Sequence, residues 1–335
     1  MSDRPATHRM RAPDLSGAAR LSRRDLLRSA ALAAGALGAS GLLAACGGGE
    51  GGGGYRDQGG QATAGSLRAL VAGATQLSLL NAQSGLPVGR SRFTFGLSSP
   101  DNKLVRGGAP RVWLAKDQSG RALGPFQARW LEMSAYDKTG DRSPRSELTG
   151  FYAAEVDLPD PGNWLAVALI DVNGQRAAGQ GAVPVSQRVV AQVGTKARAG
   201  ATPVASSPSA AAKICTREPA CPLHEVSLDK ALRSGKPTVV SFATPLLCSS
   251  RMCGPVVDEQ MVASQKIGKS KANFIHVEIY PQRDTNKPAP LFTAWGFDSE
   301  PWVAVIDRAG VIRARLGEGP VVASEIEAAV QPLLS

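Results

Sequence analysis

Two folded domains are predicted, an all-β sandwich followed by an α/β layered domain, and three observations predict them. The chain has 335 residues, more than one core usually organises at roughly 150 residues per domain. From residue 66 to 188, short apolar runs alternate with turn residues and no long helical period appears. From residue 213 onward, strands alternate with helical stretches, the pattern of an α/β layer fold. Apolar residues at 43% and charged residues at 20% exclude a chain disordered throughout or one crossing a membrane many times. Glycine (37) and proline (23) follow no three-residue period, so they serve linkers and turns rather than a collagen.

The net charge of +10 is dispersed. Residues 1–45 hold seven Arg and three Asp, giving +4, and the other +6 is scattered along the remainder without a basic run. With only 5% aromatic residues there is little material for stacking bases. The basic excess therefore reads as a solvated surface, and no nucleic-acid partner is expected.

Residues 1–46 read as a targeting segment. Ser22-Arg23-Arg24-Asp25-Leu26-Leu27 stands ahead of an uncharged stretch, 29–45, of 17 residues. A helix of that length covers roughly 25 Å, short of the ~30 Å hydrocarbon core, so a permanent span is the weaker reading. The arginine pair resembles the twin-arginine export signal, and Leu43-Ala44-Ala45-Cys46 resembles the lipobox of bacterial lipoproteins. The resemblance implies a diacylglyceryl group on Cys46, which becomes the mature N-terminus of a lipid-anchored protein on the extracytoplasmic face of the cell membrane. Seven of the eight residues 47–54 are glycine. Taken as coil, the tether 47–65 has an end-to-end distance of roughly 24 Å.

For the first domain, 66–188, candidate strands are 91–98, 111–116, 126–133, 151–158, 164–171 and 179–185, separated by segments such as Asp117-Gln-Ser-Gly and Asp171-Val-Asn-Gly. Six or more short strands in this length favour an immunoglobulin-like sandwich. The stretch from Tyr152 to Trp164 resembles small periplasmic sandwiches, some of which bind copper. No His lies between 9 and 223 and Met133 is alone, so a metal-free binding or spacer module is expected, with Trp113, Trp130 and Trp164 in its core. Residues 189–212 lose apolar periodicity and have the composition of a linker.

In the second domain, 213–335, the expected order is helix 227–234, strand 237–243, helix 253–267, strand 274–280, helix 289–295, strands 302–307 and 311–316, and helix 321–334. Gly235-Lys-Pro-Thr-Val-Val-Ser-Phe-Ala, then Cys248-Ser-Ser-Arg-Met-Cys253-Gly-Pro, and later Glu300-Pro301-Trp-Val resemble the thioredoxin family over roughly 236–335. The resemblance implies an α/β thioredoxin-like fold, with Cys248 as nucleophile, Cys253 as resolving thiol, and Pro301, at the family's cis-proline position, packed beside them. Three features depart from the family: four residues between the cysteines instead of two, Ser241 where a buried acid usually stands, and Leu247 where a Trp usually precedes the first Cys.

A cysteine at a helix start gains from the helix dipole and unpaired N–H groups, which favour the thiolate and hence disulfide exchange. The expected activity is a thiol–disulfide oxidoreductase acting on exported proteins with a redox partner and no cofactor. Two alternatives stay open. The bond between 248 and 253 could simply staple a non-catalytic binding protein. A Sco-like copper protein would instead recruit His224 or His276, although these read as a loop residue and a core residue. With Cys46 lipidated, four cysteines allow three connectivities. Cys215 and Cys221, in Cys-Thr-Arg-Glu-Pro-Ala-Cys-Pro, read as a structural disulfide, and no resident metal is expected.

Overall fold

A computed structural model describes residues 65–133, 149–188 and 190–335. The signal 1–46 with Cys46, and the tether up to residue 64, lie outside the described residues. After a single helical turn, α1 (Leu67–Val71), come the strands β1 (Thr75–Asn81), β2 (Leu86–Pro87), β3 (Gly89–Ser98), β4 (Arg111–Ala115), β5 (Leu123–Glu132), β6 (Gly150–Leu158), β7 (Gly162–Val172) and β8 (Gln175–Ser186). They are hydrogen-bonded in the order β1-β3-β6-β5-β4-β7-β8, and β1 pairs again with β8. The result is a closed seven-stranded barrel with β2 appended to β8. It is mixed, because β1 runs antiparallel to β3 but parallel to β8.

This closure corrects the expected immunoglobulin-like sandwich. The six predicted strands exist, but β1 (Thr-Gln-Leu-Ser-Leu-Leu-Asn) joins what would have been two open edges. Only Leu77 and Leu79 point inward from it, a short alternation that is easily read as loop. Glycines on β8 make the join possible. A Cβ on Gly179 would lie 2.3 Å from Leu97 Cδ2, and one on Gly181 would lie 2.7 Å from the Leu79 carbonyl oxygen. The interior is apolar, led by Phe93, Phe95, Tyr152 and Trp164, and the Tyr152 hydroxyl donates to the carbonyl of Gly107 at 2.7 Å. Trp113 and Trp130 are half-buried at the margins.

Single helical turns follow, α2 (Pro208–Ala211) and α3 (Leu228–Ala231), then β9 (Thr238–Ala243), α4 (Cys253–Ile267), β10 (Asn273–Glu278), α5 (Pro290–Ala294), β11 (Trp302–Ile306), β12 (Ile312–Arg315) and α6 (Ala323–Val330). The second sheet has the order β10-β9-β11-β12; β10 and β9 are parallel and the other pairings antiparallel. One face packs on α4 and α6 through residues such as Val239, Phe274, Val303 and Ile326. The opposite face, with Val240, Phe242 and Ile275, is covered by Val190, Leu228, Trp295 and Phe297, which come from irregular chain and single turns. A closed barrel plus a second sheet with few helices therefore replaces the expected sandwich followed by an α/β thioredoxin-like fold. In particular, the helix expected over 227–234 is α-helical only at α3 and tightens into i→i+3 turns at Arg233 and Ser234 before Gly235, whose φ of +72° ends it.

The barrel and the second sheet are bound by buried charge. Arg92 of β3 makes two hydrogen bonds to Glu325 of α6, at 2.8 and 2.7 Å, and a third to the Pro320 carbonyl at 2.8 Å. Both side chains are about 5% exposed or less. Arg188 pairs with Glu318 in the same seam. Such pairs do more for register than for net stability, since desolvation offsets most of the attraction. Among the described residues no helix is long and apolar enough to cross a membrane.

Candidate active site

The loop 244–252 leaves the C-terminal end of β9 and delivers Cys248 to the start of α4. Two backbone turns shape it, Leu247 N–H to Thr244 at 3.2 Å and Arg251 N–H to Cys248 at 3.2 Å. Arg251 has a φ of +60°, the left-handed conformation that lets four residues fold back between the two cysteines. Met252 offers no side-chain cap to α4. The cap is the Cys248 sulfur, which accepts the backbone N–H of Cys253 at 3.3 Å and lies 3.3 Å from Ser250 Oγ. A sulfur in that position satisfies one of the four orphan donors of the helix and lies at the positive end of its dipole.

The two thiols consequently differ. Cys248 is held at about 6, below the ordinary thiol value, first by the Cys253 side chain hydrogen-bonded to it, then by Ser250 and by the N–H groups of Cys253 and Met252. Cys253 is completely buried, and burial, followed by the hydrogen bond and charge of Cys248, pushes its thiol well above the usual range. Both are free thiols in this structure. A sulfur whose thiolate is favoured thus lies at a helix start beside a buried thiol whose proton is held. Around them Leu246, Ser249, Ser250 and Arg251 are exposed, so the rim of the pair faces solvent.

Pro301 is buried one residue before Trp302, which pairs with Phe242 of β9. It thus sits across from the end of the strand from which the cysteine loop departs, and the Glu300–Pro301 bond is cis. Sequence reasoning missed Glu300. Its carboxyl is raised by burial first and then by the charge of Cys248, while the N–H of Ser249 opposes the rise. Tyr280 is also raised, by burial and then by Glu300 and the two cysteines. The signal that could have flagged Glu300 was its place immediately before Pro301, since Ser241, on the buried strand, contributes no ionisable group.

The second cysteine pair is arranged differently. Cys215 and Cys221 are both thiols with sulfurs 3.8 Å apart, against ~2.05 Å for a disulfide. The structural bridge expected there is not formed in this structure. The two histidines weighed for a copper site are gathered at this pair rather than at Cys248 and Cys253. His276 Nδ1 is 3.7 Å from the Cys215 sulfur and 3.3 Å from that of Cys221, and His224 Nε2 is 3.4 Å from Cys221. The hydrogen bond shared by the two sulfurs holds Cys215 below the ordinary thiol range. These four are the residues of the described chain whose donor atoms could surround a metal ion.

No known family model matches the chain. No curated protein sequence matches it either. Among solved structures, the chain is similar to a thiol:disulfide interchange protein DsbE from Chlorobium tepidum, at 15% identity and a TM-score of 0.30, over 43% of this chain and 99% of that one. It is also similar to a thioredoxin-like superfamily protein at 19% identity and a TM-score of 0.25, over 33% of this chain and 86% of that one. A titin M4 domain aligns at 14% identity and a TM-score of 0.17, over 33% and 93%. At such identities and scores, the functional argument rests on the cysteine geometry alone.

Proposed function

We propose that the protein is a lipid-anchored thiol–disulfide oxidoreductase acting outside the cytoplasm on exported proteins. The observation that carries this reading is the Cys248 sulfur accepting the first N–H of α4 at 3.3 Å, with its thiol at about 6, beside a buried Cys253. A thiolate at the start of a helix, next to a protonated partner, is the arrangement that exchanges disulfides.

Starting from the dithiol, the Cys248 thiolate attacks one sulfur of a substrate disulfide. A mixed disulfide forms and the other substrate sulfur leaves as a thiolate. Cys253 then loses its proton and attacks the Cys248 sulfur, closing the 248–253 disulfide and releasing the second substrate thiolate. The substrate gains two electrons and the pair loses two; run backward, the same steps oxidise a substrate dithiol. Glu300 is electrostatically coupled to both sulfurs, and burial raises its carboxyl, which makes it the candidate acceptor for the Cys253 proton. The envelope location rests on the twin-arginine and lipobox signals ending at Cys46.

Two measurements test the proposal. With Cys253→Ser in living cells, mixed disulfides between Cys248 and exported proteins are expected to accumulate as high-mass, reductant-sensitive species. A reduction potential below about −300 mV for the 248–253 couple would mark an inert staple and overturn the assignment. The anchor is tested separately: Cys46→Ala is expected to move the protein from the detergent-extracted membrane fraction to the soluble one.

A further inference from the structure

We infer that Cys215, Cys221, His224 and His276 form a structural zinc centre, a site independent of the redox reading above. Their four donor atoms all lie within 4.8 Å of one another. For tetrahedral zinc with bonds of ~2.3 Å to sulfur and ~2.0–2.1 Å to nitrogen, donor separations should be about 3.8 Å for S···S and about 3.5 Å for S···N. The separations found are 3.8 Å between the sulfurs and 3.7, 3.4 and 3.3 Å between sulfur and nitrogen. These four of the six donor separations of a tetrahedral site match the expected values to within about 0.2 Å. A disulfide would need the sulfurs nearly 2 Å closer, and the convergence of two sulfurs and two imidazole nitrogens within 4.8 Å of one another is what a four-donor cage requires.

The surroundings fix the donors for ligation. His276 Nε2 donates to the Ala243 carbonyl at 3.1 Å, which leaves Nδ1 as the lone-pair nitrogen facing the sulfurs, the outer-shell pattern of metal-bound histidine. The loop 215–224 has no helix or strand of its own, yet it is clamped at intervals. Thr216 donates through N–H and hydroxyl to Glu278 at 3.0 and 2.6 Å. Arg217 pairs with Asp258 at 2.5 Å, and Leu223 accepts the N–H of His276 at 2.8 Å. All four ligands are buried, Cys221 completely and the others at 1 to 4% exposure. A closed set of four protein donors, with none of the site open to solvent, is the structural rather than the catalytic type.

Charge and donor softness choose the ion. Binding Zn²⁺ releases the two thiol protons, and two thiolates then cancel the charge of the ion, so a neutral centre sits in the apolar core. An S₂N₂ tetrahedral set suits zinc, whereas calcium and magnesium require oxygen donors. Coordination would also withdraw these sulfurs from exchange with Cys248 and Cys253, which belong to the same apolar cluster. The Thr216 hydroxyl, one residue from a ligand, accepts the N–H of Leu246 at 3.2 Å, so the centre braces the loop that carries Cys248.

The test is metal analysis of the full-length reduced protein together with cobalt exchange. One equivalent of zinc is expected in the wild type and in Cys248→Ser/Cys253→Ser, and a loss of at least tenfold in occupancy in Cys221→Ser and in His276→Ala. Because those two variants could fail to fold, the wild type reloaded with Co²⁺ should show the intense visible bands of a tetrahedral ion and thiolate-to-metal charge transfer. Three results would overturn the centre: no bound metal with a 215–221 disulfide two hydrogens lighter in mass, octahedral cobalt spectra, or binding of Cu(I) with no affinity for zinc. Retained zinc in the Cys248→Ser/Cys253→Ser variant, whatever its exchange activity, separates this site from the redox proposal.

Discussion

Two cysteine pairs share one apolar cluster, and they differ in almost everything that decides reactivity. Spacing barely separates them, five intervening residues at 215–221 and four at 248–253. Their neighbours do. The first pair faces two imidazole nitrogens, and the ring of His276 is fixed by the Ala243 carbonyl. The second faces helix N–H groups, one hydroxyl and an exposed loop. Imidazole and thiolate together make a cage for a cation, while N–H groups and a helix dipole stabilise a lone anion. A sulfur in the first setting is withdrawn from chemistry and one in the second is prepared for it.

The largest effects test that division directly. Cys248→Ser is expected to lower the rate of exchange with a model disulfide by about 10³-fold or more, since a serine hydroxyl is hardly ionised near neutral pH, and to lower the thermal midpoint at pH 7 by only a few degrees, the share its thiolate contributes there. Cys221→Ser should do the reverse. Losing a ligand of a buried structural ion costs several kcal/mol, a fall of about 10 °C in a domain of this size, with the exchange rate of the folded fraction kept within a few-fold. Stopped-flow kinetics and calorimetry on the same preparations read both. If the exchange activity instead disappeared with Cys221 and survived in Cys248→Ser, the assignments of the two pairs would have to be interchanged.

The next effect is a pH profile. Alkylation of Cys248 by iodoacetamide should rise with pH to a midpoint at about 6, against ~8.5 for an ordinary thiol. The rate at pH 7 is a poorer guide. The thiolate fraction there is about 90% instead of about 3%, but the lower basicity costs roughly tenfold in nucleophilicity, so the net gain is only about twofold. Stability follows the same group. The folded pKa of Cys248 is depressed, so its contribution is present above the unfolded value and is lost as pH falls from about 9 to about 6. Cys253, raised by burial, acts oppositely: its contribution holds below the unfolded value and fades as pH climbs beyond it. The reduced form should therefore gain stability between about pH 6 and 9 and lose it above. The charged and titratable groups coupled to these sulfurs are Glu300 and Tyr280; a midpoint that moved with Glu300→Gln alone would transfer the control of Cys248 from the helix to that carboxylate.

How much of this could be read from the chain depends on the range over which each signal acts. The start of α4 at Cys253 and its end at Ile267 coincide with the expected helix, because a buried strand, a cysteine loop and Gly-Pro are neighbours in sequence. The barrel was not legible, since its closure depends on two inward leucines of β1 meeting β8 about a hundred residues later. His276 illustrates the same limit. In sequence it is a strand residue with apolar neighbours, and its 52-residue separation from His224 hides the fact that β10 carries it to the 215–224 loop. Composition argued against metal for the first half of the chain, but it had no purchase on donors that the second sheet assembles.

The smallest effect sharpens the comparison most, because it removes one atom from the second setting and leaves the first untouched. Ser250 Oγ lies 3.3 Å from the Cys248 sulfur and also accepts the N–H of Met252 at 3.4 Å. Its hydroxyl ranks after the Cys253 side chain in lowering the Cys248 pKa. A hydrogen bond to a charged group contributes about 1.5 kcal/mol or somewhat more in a buried site and less at an exposed loop, so Ser250→Ala should raise the alkylation midpoint by about half to one pH unit. Ser250 is exposed, which makes a folding defect an inadequate explanation for any shift. An unchanged midpoint would assign the low pKa to the Cys253 thiol and the N–H groups of α4 alone. A shift as large as two units would mean that the hydroxyl, rather than the helix start, sets the reactivity of this sulfur.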